Sequence, residues 1–289
     1  MKILLAFVIP ILLNAQTITL QILGSGGPEF SKRASSSYIV WIDGKSKALV
    51  DAGGGAFTRF AEANAKIEDL NFIALTHLHI DHSADLPAFM KAGYFSKRAN
   101  VLPILGTTGA GKFPNIEIYL ERLFGENGAY AYMDDILTKQ SDSFQIVPHM
   151  FNQGYNSHNY GDIIVGMAGV KHGQIPAIAY CLSIGNKKII FAGDTSAQSE
   201  KLVTLAHKAD YLIVHHAIAE HAGNYAKQLH ITPTRIGEVA AKAGVKNLIL
   251  SHRMKRTYDS EKESLKLIRK NYKGNIIWAE DLMKIEVQK

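Results

Sequence analysis

Residues 17–23 alternate polar and apolar side chains, as a half-buried strand does, and Gly24-Ser25-Gly26-Gly27-Pro28 ends the pattern. Residues 37–41 and 47–51 predict a hairpin turning at Asp43-Gly44. After the run Gly53-Gly54-Gly55, residues 57–65 predict a helix, 71–76 a buried strand and 83–91 a second helix. Residues 101–106 read as a strand or a sheet edge, because Pro103 cannot donate to a ladder. From 109 to 148 the pattern is less regular, and its clearest element is a helix at 115–124. Strands follow at 163–171, 177–184 and 188–192, the last two joined at Gly185-Asn186. Residues 211–215 and 247–251 are further buried strands. Between them Thr232 caps a helix, Pro233 starts it and Gly244 closes it. A helix at 260–269 and short strands at 275–278 and 283–287 complete an α/β order. No linker, repeat or charge block divides the chain, so residues 16–289 read as one domain.

The 289 residues are 47% hydrophobic and 20% charged, which excludes a coiled coil, a collagen-like chain and a wholly disordered protein. A net charge of +6 permits an anionic substrate without demanding nucleic acid. The single cysteine, Cys181, lies in an apolar strand and reads as core; alone it can make neither an intramolecular disulfide nor a cysteine zinc cage. Residues 1–15 carry Lys2, an apolar run at 3–13 and Ala15, the layout of a signal peptide whose removal leaves Gln16 first. The run is short for a bilayer span. The expectation is therefore a periplasmic or secreted protein without a permanent membrane anchor; the competing reading of the run is a buried first strand.

Twelve histidines are the unusual feature of the composition, and several cluster. Thr76-His77-Leu78-His79-Ile80-Asp81-His82 follows a predicted strand and precedes a helix. A spacing of two in extended chain puts His77, His79 and Asp81 on one side, and the turn into the helix brings His82 round. Imidazoles with a carboxylate are the nitrogen and oxygen donors that suit Zn²⁺.

This H-x-H-x-D-H run resembles the metallo-β-lactamase superfamily, and the resemblance extends in order along nearly the whole mature chain. Val170-Lys171-His172, Phe191-Ala192-Gly193-Asp194-Thr195 and Leu250-Ser251-His252 match its later motifs, each at a strand end. The resemblance implies a four-layer αββα sandwich and two zinc ions per chain. It places His77, His79, His172 and Asp194 on the first metal and Asp81, His82, Asp194 and His252 on the second. True β-lactamases have a cysteine where this chain has Asp194. Glyoxalase-like and lactonase-like members share the main motif and stay open.

Three stretches resemble the branch that contains ribonuclease Z and the arylsulfatase-like enzymes: Leu23–Pro28 with Arg33–Ser37, Val214-His215-His216-Ala217-Ile218, and His230-Ile231-Thr232. The second matches a His-Glu-Ala-Thr segment, with His216 in place of the glutamate. The third implies that His230 protonates the leaving group, while Asp81 takes the proton of the attacking water. His215, His216 and His221 are left between pocket and loop. The expected function is an exported dinuclear zinc hydrolase of phosphate, sulfate or related esters, acting through metal-activated water. Its expected substrate is a small anionic ester and not a nucleic acid, and nothing excludes a homodimer. His172 and Asp194 are only 22 residues apart, too close to hold the transfer-RNA-gripping arm of many bacterial ribonucleases Z. Residues 130–135, aromatic and acidic, are expected to cover the substrate. The alternatives are a ribonuclease Z-type endonuclease that trims transfer RNA 3′ ends, and a metal-binding protein without turnover.

Overall fold

The computed structural model describes residues 16–138, 144–151, 156–198 and 200–287; residues 1–15, read as a signal peptide, lie outside them. In chain order the strands are β1 (Ile18–Gly24), β2 (Ser37–Ile42), β3 (Lys45–Val50), β4 (Phe72–Ala74), β5 (Leu102–Thr107), β6 (Ile146–Phe151) and β7 (Asn156–Tyr160). They continue with β8 (Ile163–His172), β9 (Ile175–Ile184), β10 (Lys187–Phe191), β11 (Tyr211–His215), β12 (Asn247–Ser251), β13 (Asn275–Trp278) and β14 (Lys284–Glu286). One sheet runs β14-β1-β2-β3-β4-β5-β6 and the other β13-β12-β11-β10-β9-β8-β7.

Alternation along each strand decides which layer each side chain joins. In β2, Tyr38, Val40 and Ile42 face the other sheet, while Ile39 and Trp41 face helices on the outside. Three cores result. One lies between the sheets, where Leu20, Val40 and Phe72 meet Tyr180, Phe191 and Ile213. A second packs helices Ala56–Glu62, Leu86–Gly93 and Ile116–Phe124 on the first sheet. The third packs Pro233–Ala243 and Glu261–Asn271 on the second sheet and encloses Cys181. This is the expected αββα sandwich. Among the described residues no helix is long and apolar enough to cross a membrane.

Phe89 meets Phe57 and Phe60 edge-on, at 5.6 and 5.1 Å between ring centroids. Large-to-small changes at such buried sites leave a cavity and cost about 3–5 kcal/mol. Phe89→Ala is expected to lose that much in urea denaturation while metal stoichiometry stays at the wild-type value, because the ring lies in the outer core.

Of the two readings of residues 101–106 the strand holds: Pro103 sits inside β5, flanked by β6, and β4 pairs with it only at Ile104 and Leu105, beyond the proline. β6 and β7 carry too little alternation to be read from sequence. The helix expected over 83–91 is two pieces, Ile80–Ser83 and Leu86–Gly93. Residues 130–135, the segment expected to cover a substrate, are anchored to helices: the Tyr130 amide donates to the Leu123 carbonyl, Met133 is buried, and the Tyr94 hydroxyl donates to Asp135.

Topology brings the motifs together. β10, β11 and β12 are mutually parallel, and β8 and β10 point the same way because each is antiparallel to β9. His172 ends β8, Asp194 follows β10, His215 ends β11 and His252 follows β12, so all four lie along one rim. Across from it, the segment after β4 supplies His77 to His82.

Candidate metal centre

Two groups of side chains share Asp194. In the first, one donor atom from each of His77, His79, His172 and Asp194 lies within 4.8 Å of the others. His172 Nε2 is 3.5 Å from Asp194 Oδ2 and 3.5 Å from His79 Nδ1, and His77 Nε2 is 3.8 Å from Asp194 Oδ2. In the second, His82 Nε2 stands 3.9 Å from Asp194 Oδ2 and 3.5 Å from Asp81 Oδ2. His252 Nε2 lies 3.1 Å from Asp81 Oδ2 and 3.7 Å from Asp194 Oδ1. All seven side chains named from the motifs are therefore brought to one place.

Tight backbone makes this approach possible. Gly193 has a left-handed φ of 60°, and a Cβ there would sit 2.8 Å from Thr76 Cβ. A Cβ on Gly27 would come within 2.5 Å of His252 Cε1, so that glycine lets the loop after β1 lie against the second group. His252 itself adopts φ 52°, a conformation uncommon for a residue with a side chain and one that concentrates at functional sites.

The donor set fits a cation. His77 Nε2 and His82 Nε2 are buried without a hydrogen-bond partner. An imidazole nitrogen removed from water and left unpaired is costly, and a metal would satisfy it. Metal binding also requires neutral imidazoles and ionised carboxylates. Burial, reinforced by the neighbouring His82, pushes His77 well below the ordinary histidine range, and burial lowers His79. Burial would raise the two acids, yet the surrounding imidazoles win: His252 and His82 hold Asp81 down at about 2, and His252 and His215 hold Asp194 well below the carboxylate range. His82 departs from this. Burial works to lower it, but Asp51 outweighs burial and holds it up at about 9.

Asp51 is the residue that sequence reading missed. It follows β3 with φ 57°, is fully buried, and its Oδ2 lies 2.8 Å from His82 Nδ1. It also accepts from the Thr76 amide at 2.7 Å and the Thr76 hydroxyl at 3.0 Å. A carboxylate on Nδ1 keeps the proton there and turns Nε2 toward the ligand position. His172 is held in the same way: its Nδ1 donates to the Leu229 carbonyl at 2.7 Å, leaving Nε2 free. The one signal in the sequence was an acid at a strand end ahead of three glycines. Asp51→Asn is expected to weaken metal binding about 10- to 100-fold in a chelator competition titration, since partners of this kind carry that much affinity.

The three open histidines separate. His215 is inside the site, with Nδ1 2.7 Å from Asp194 Oδ1. His216 is buried beside it but faces the Trp278 ring edge-on at 5.0 Å, and both its ring nitrogens are unpaired. His221 is on the surface near Glu263. His230, at the end of helix Asn224–Leu229, brings Nδ1 to 3.7 Å from Asp194 Oδ1. Residues 266–273, a basic stretch, run along the end of helix Glu261–Asn271 and just past it, with Ile268 and Tyr272 buried and the three lysines exposed.

Residues 31–261 match the family profile of the metallo-beta-lactamase superfamily. The chain belongs to that superfamily. This places it among metal-dependent hydrolases. Two similar proteins are a ribonuclease Z of Methanosarcina mazei, 25% identical over 92% of this chain and 96% of that one, and a ribonuclease Z of Mycobacterium bovis, 27% identical over 93% and 98%. Among solved structures, this superfamily member resembles the fold protein YhfI from Bacillus subtilis, with a TM-score of 0.75 and 19% identity over 94% of this chain and all of that one. The short form of human tRNase Z gives 0.71 and 22%, again over 94% and 100%.

Proposed function

We propose that the chain is a two-metal phosphodiesterase of the ribonuclease Z kind, with zinc as its metal. The observation that carries the reading is the pair of donor groups joined by Asp194. Phosphodiester bonds are favoured over sulfate esters because the similar curated proteins are named ribonuclease Z. When bound, two such metals supply Lewis-acid polarisation of the phosphoryl group and a nucleophile available at neutral pH.

The chain's own residues do the rest. Asp194 spans the two groups and holds both in register. Asp81, ionised and between His82 and His252, accepts a proton from water. Asp51 and the Leu229 carbonyl fix the rings of His82 and His172. His230 stands at the mouth, with its side chain 12% exposed, and gives a proton to the departing oxygen.

RNA is the substrate to which the relatives point. A small anionic ester is the second reading, favoured by one feature: the β9–β10 hairpin, turning at Gly185-Asn186, fills the interval from His172 to Asp194. Export belongs with that second reading, since transfer RNA precursors are not periplasmic, and amino-terminal sequencing of the protein from cell fractions tests it. The deciding assay sets the zinc-loaded protein on a precursor transfer RNA, bis(p-nitrophenyl) phosphate and an aryl sulfate. Site-specific 3′ cleavage supports the RNA reading, and turnover of the small diester alone supports the second. Hydrolysis of the sulfate alone, or of nothing, refutes the phosphodiesterase.

A further inference from the structure

His215 has a donor atom close enough to be grouped with His82, Asp194 and His252 around one metal. Its hydrogen bonds say otherwise. Nδ1 faces Asp194 Oδ1 at 2.7 Å, and a carboxylate held ionised can only accept, so the proton is on Nδ1. Nε2 faces the Tyr38 hydroxyl at 3.4 Å. Nδ1 thus carries a hydrogen and has no lone pair to offer a metal, and Nε2 faces Tyr38, whereas Nε2 of His77 and of His82 has no partner.

Tyr38 comes from the other sheet. Its ring is buried between the two sheets, 5.5 Å from that of Phe191, and its hydroxyl donates to Ser251 Oγ at 2.8 Å. β2 is thereby linked to the ends of β11 and β12, next to His215 and His252. Burial raises the phenol, which stays protonated and able to share its hydrogen between Ser251 and His215.

The geometry points to Tyr38 and His215 as positioning residues for Asp194: the Tyr38 hydroxyl holds the His215 ring so that its Nδ1–H grips Oδ1 and leaves Oδ2 turned toward the metal pair. The distances divide accordingly. Oδ2 is the oxygen nearer His77, His82 and His172, while Oδ1 is bonded to His215 at 2.7 Å and has His252 and His230 farther off, at 3.7 Å each. His215 is then no ligand. The inference rests on the two-metal reading above and adds to it a support that crosses the sandwich.

Cobalt titration tests it without any substrate. Tyr38→Phe keeps the ring and removes only the hydroxyl, so circular dichroism is expected to match wild type. Its Co²⁺ affinity is expected to fall about tenfold, with a shifted visible absorption band. His215→Asn, whose amide can still reach Asp194, is expected to weaken Co²⁺ binding without lowering the stoichiometry. The double variant is expected to be no worse than His215→Asn alone, because the hydroxyl acts through that ring. Ser251→Ala is expected to be silent.

Affinity and spectrum of Tyr38→Phe within twofold of wild type would overturn the inference. So would additive losses in the double variant, or a Ser251→Ala that reproduces Tyr38→Phe. Loss of one cobalt in His215→Asn would make His215 a ligand after all, and that variant decides the matter even if Tyr38→Phe does not fold. A wild-type chain that binds fewer than two Co²⁺ ions would instead sink the two-metal reading itself, an outcome visible before any variant is compared.

Discussion

Replacing Asp194 by alanine is expected to strip metal from both groups and to abolish activity. Asp194 is the one residue common to the two groups, and its two oxygens lie between 2.7 and 3.9 Å from nitrogens of six histidines: His77, His82, His172, His215, His230 and His252. Without it those imidazoles lose the anion that compensates a bound cation, and the carboxylates left at the second group are Asp81 and, on the Nδ1 side of His82, Asp51. Lewis-acid assistance is worth several kcal/mol of barrier, so turnover should drop by about 10³-fold or more. Metal analysis of the purified variant is the check, paired with activity on whichever ester the wild type cleaves. Two metal ions retained per chain would show that Asp194 does not join the sites.

The candidate ligand motifs were legible through the family resemblance, which alone divided them between two metals, and through local geometry. His77, His79 and Asp81 alternate in extended chain, and Asp194 and His252 each follow an apolar strand, so convergence at strand ends could be argued before any coordinates. Strands β11, β12 and β13 have the expected limits for the same reason: five or four consecutive residues, mostly apolar, between turn formers. What escaped was relational. Asp51 is an acid at the end of a hairpin strand, and only the tertiary structure puts it 2.8 Å from a histidine 31 residues later. His215 and His216 are adjacent and chemically identical in sequence. A strand end sends one toward Asp194 and the other toward Trp278, and which goes where depends on the pleat at the end of β11. Tyr38 gave no polar signal, because a tyrosine at an inward position of a β-strand is ordinary core. The missed strand β6 contains Pro148 and His149, and it forms because β5 offers a parallel neighbour along its whole length.

Replacing His230 by alanine is expected to leave two metals in place and to slow turnover by about 10²–10⁴-fold on a poor leaving group, the usual worth of a positioned general acid. His230 differs from the ligand histidines in its surroundings. It caps a six-residue helix, its side chain is partly open to solvent, and its Nδ1 is without a hydrogen-bond partner although only 3.7 Å from Asp194 Oδ1. Burial lowers its pKa to about 4, so in the free protein the ring is neutral at pH 7. A neutral imidazole is a poor acid. The proton must therefore be taken up with the substrate, whose phosphate charge beside the ring favours the cationic form as an opposite charge does. Two consequences follow for kinetics. The rate loss in His230→Ala should shrink as the leaving group becomes a weaker base, since a nitrophenolate departs without help while a ribose or alkyl oxygen does not. The alkaline limb of the wild-type profile, where a general acid loses its proton, should also differ between kcat/KM and kcat: the first reports the free ring, depressed by burial, and the second the ring raised by bound phosphate. Equal losses on nitrophenyl and alkyl esters, or a metal content below that of wild type, would remove His230 from the proton path and return it to the supporting wall of the site.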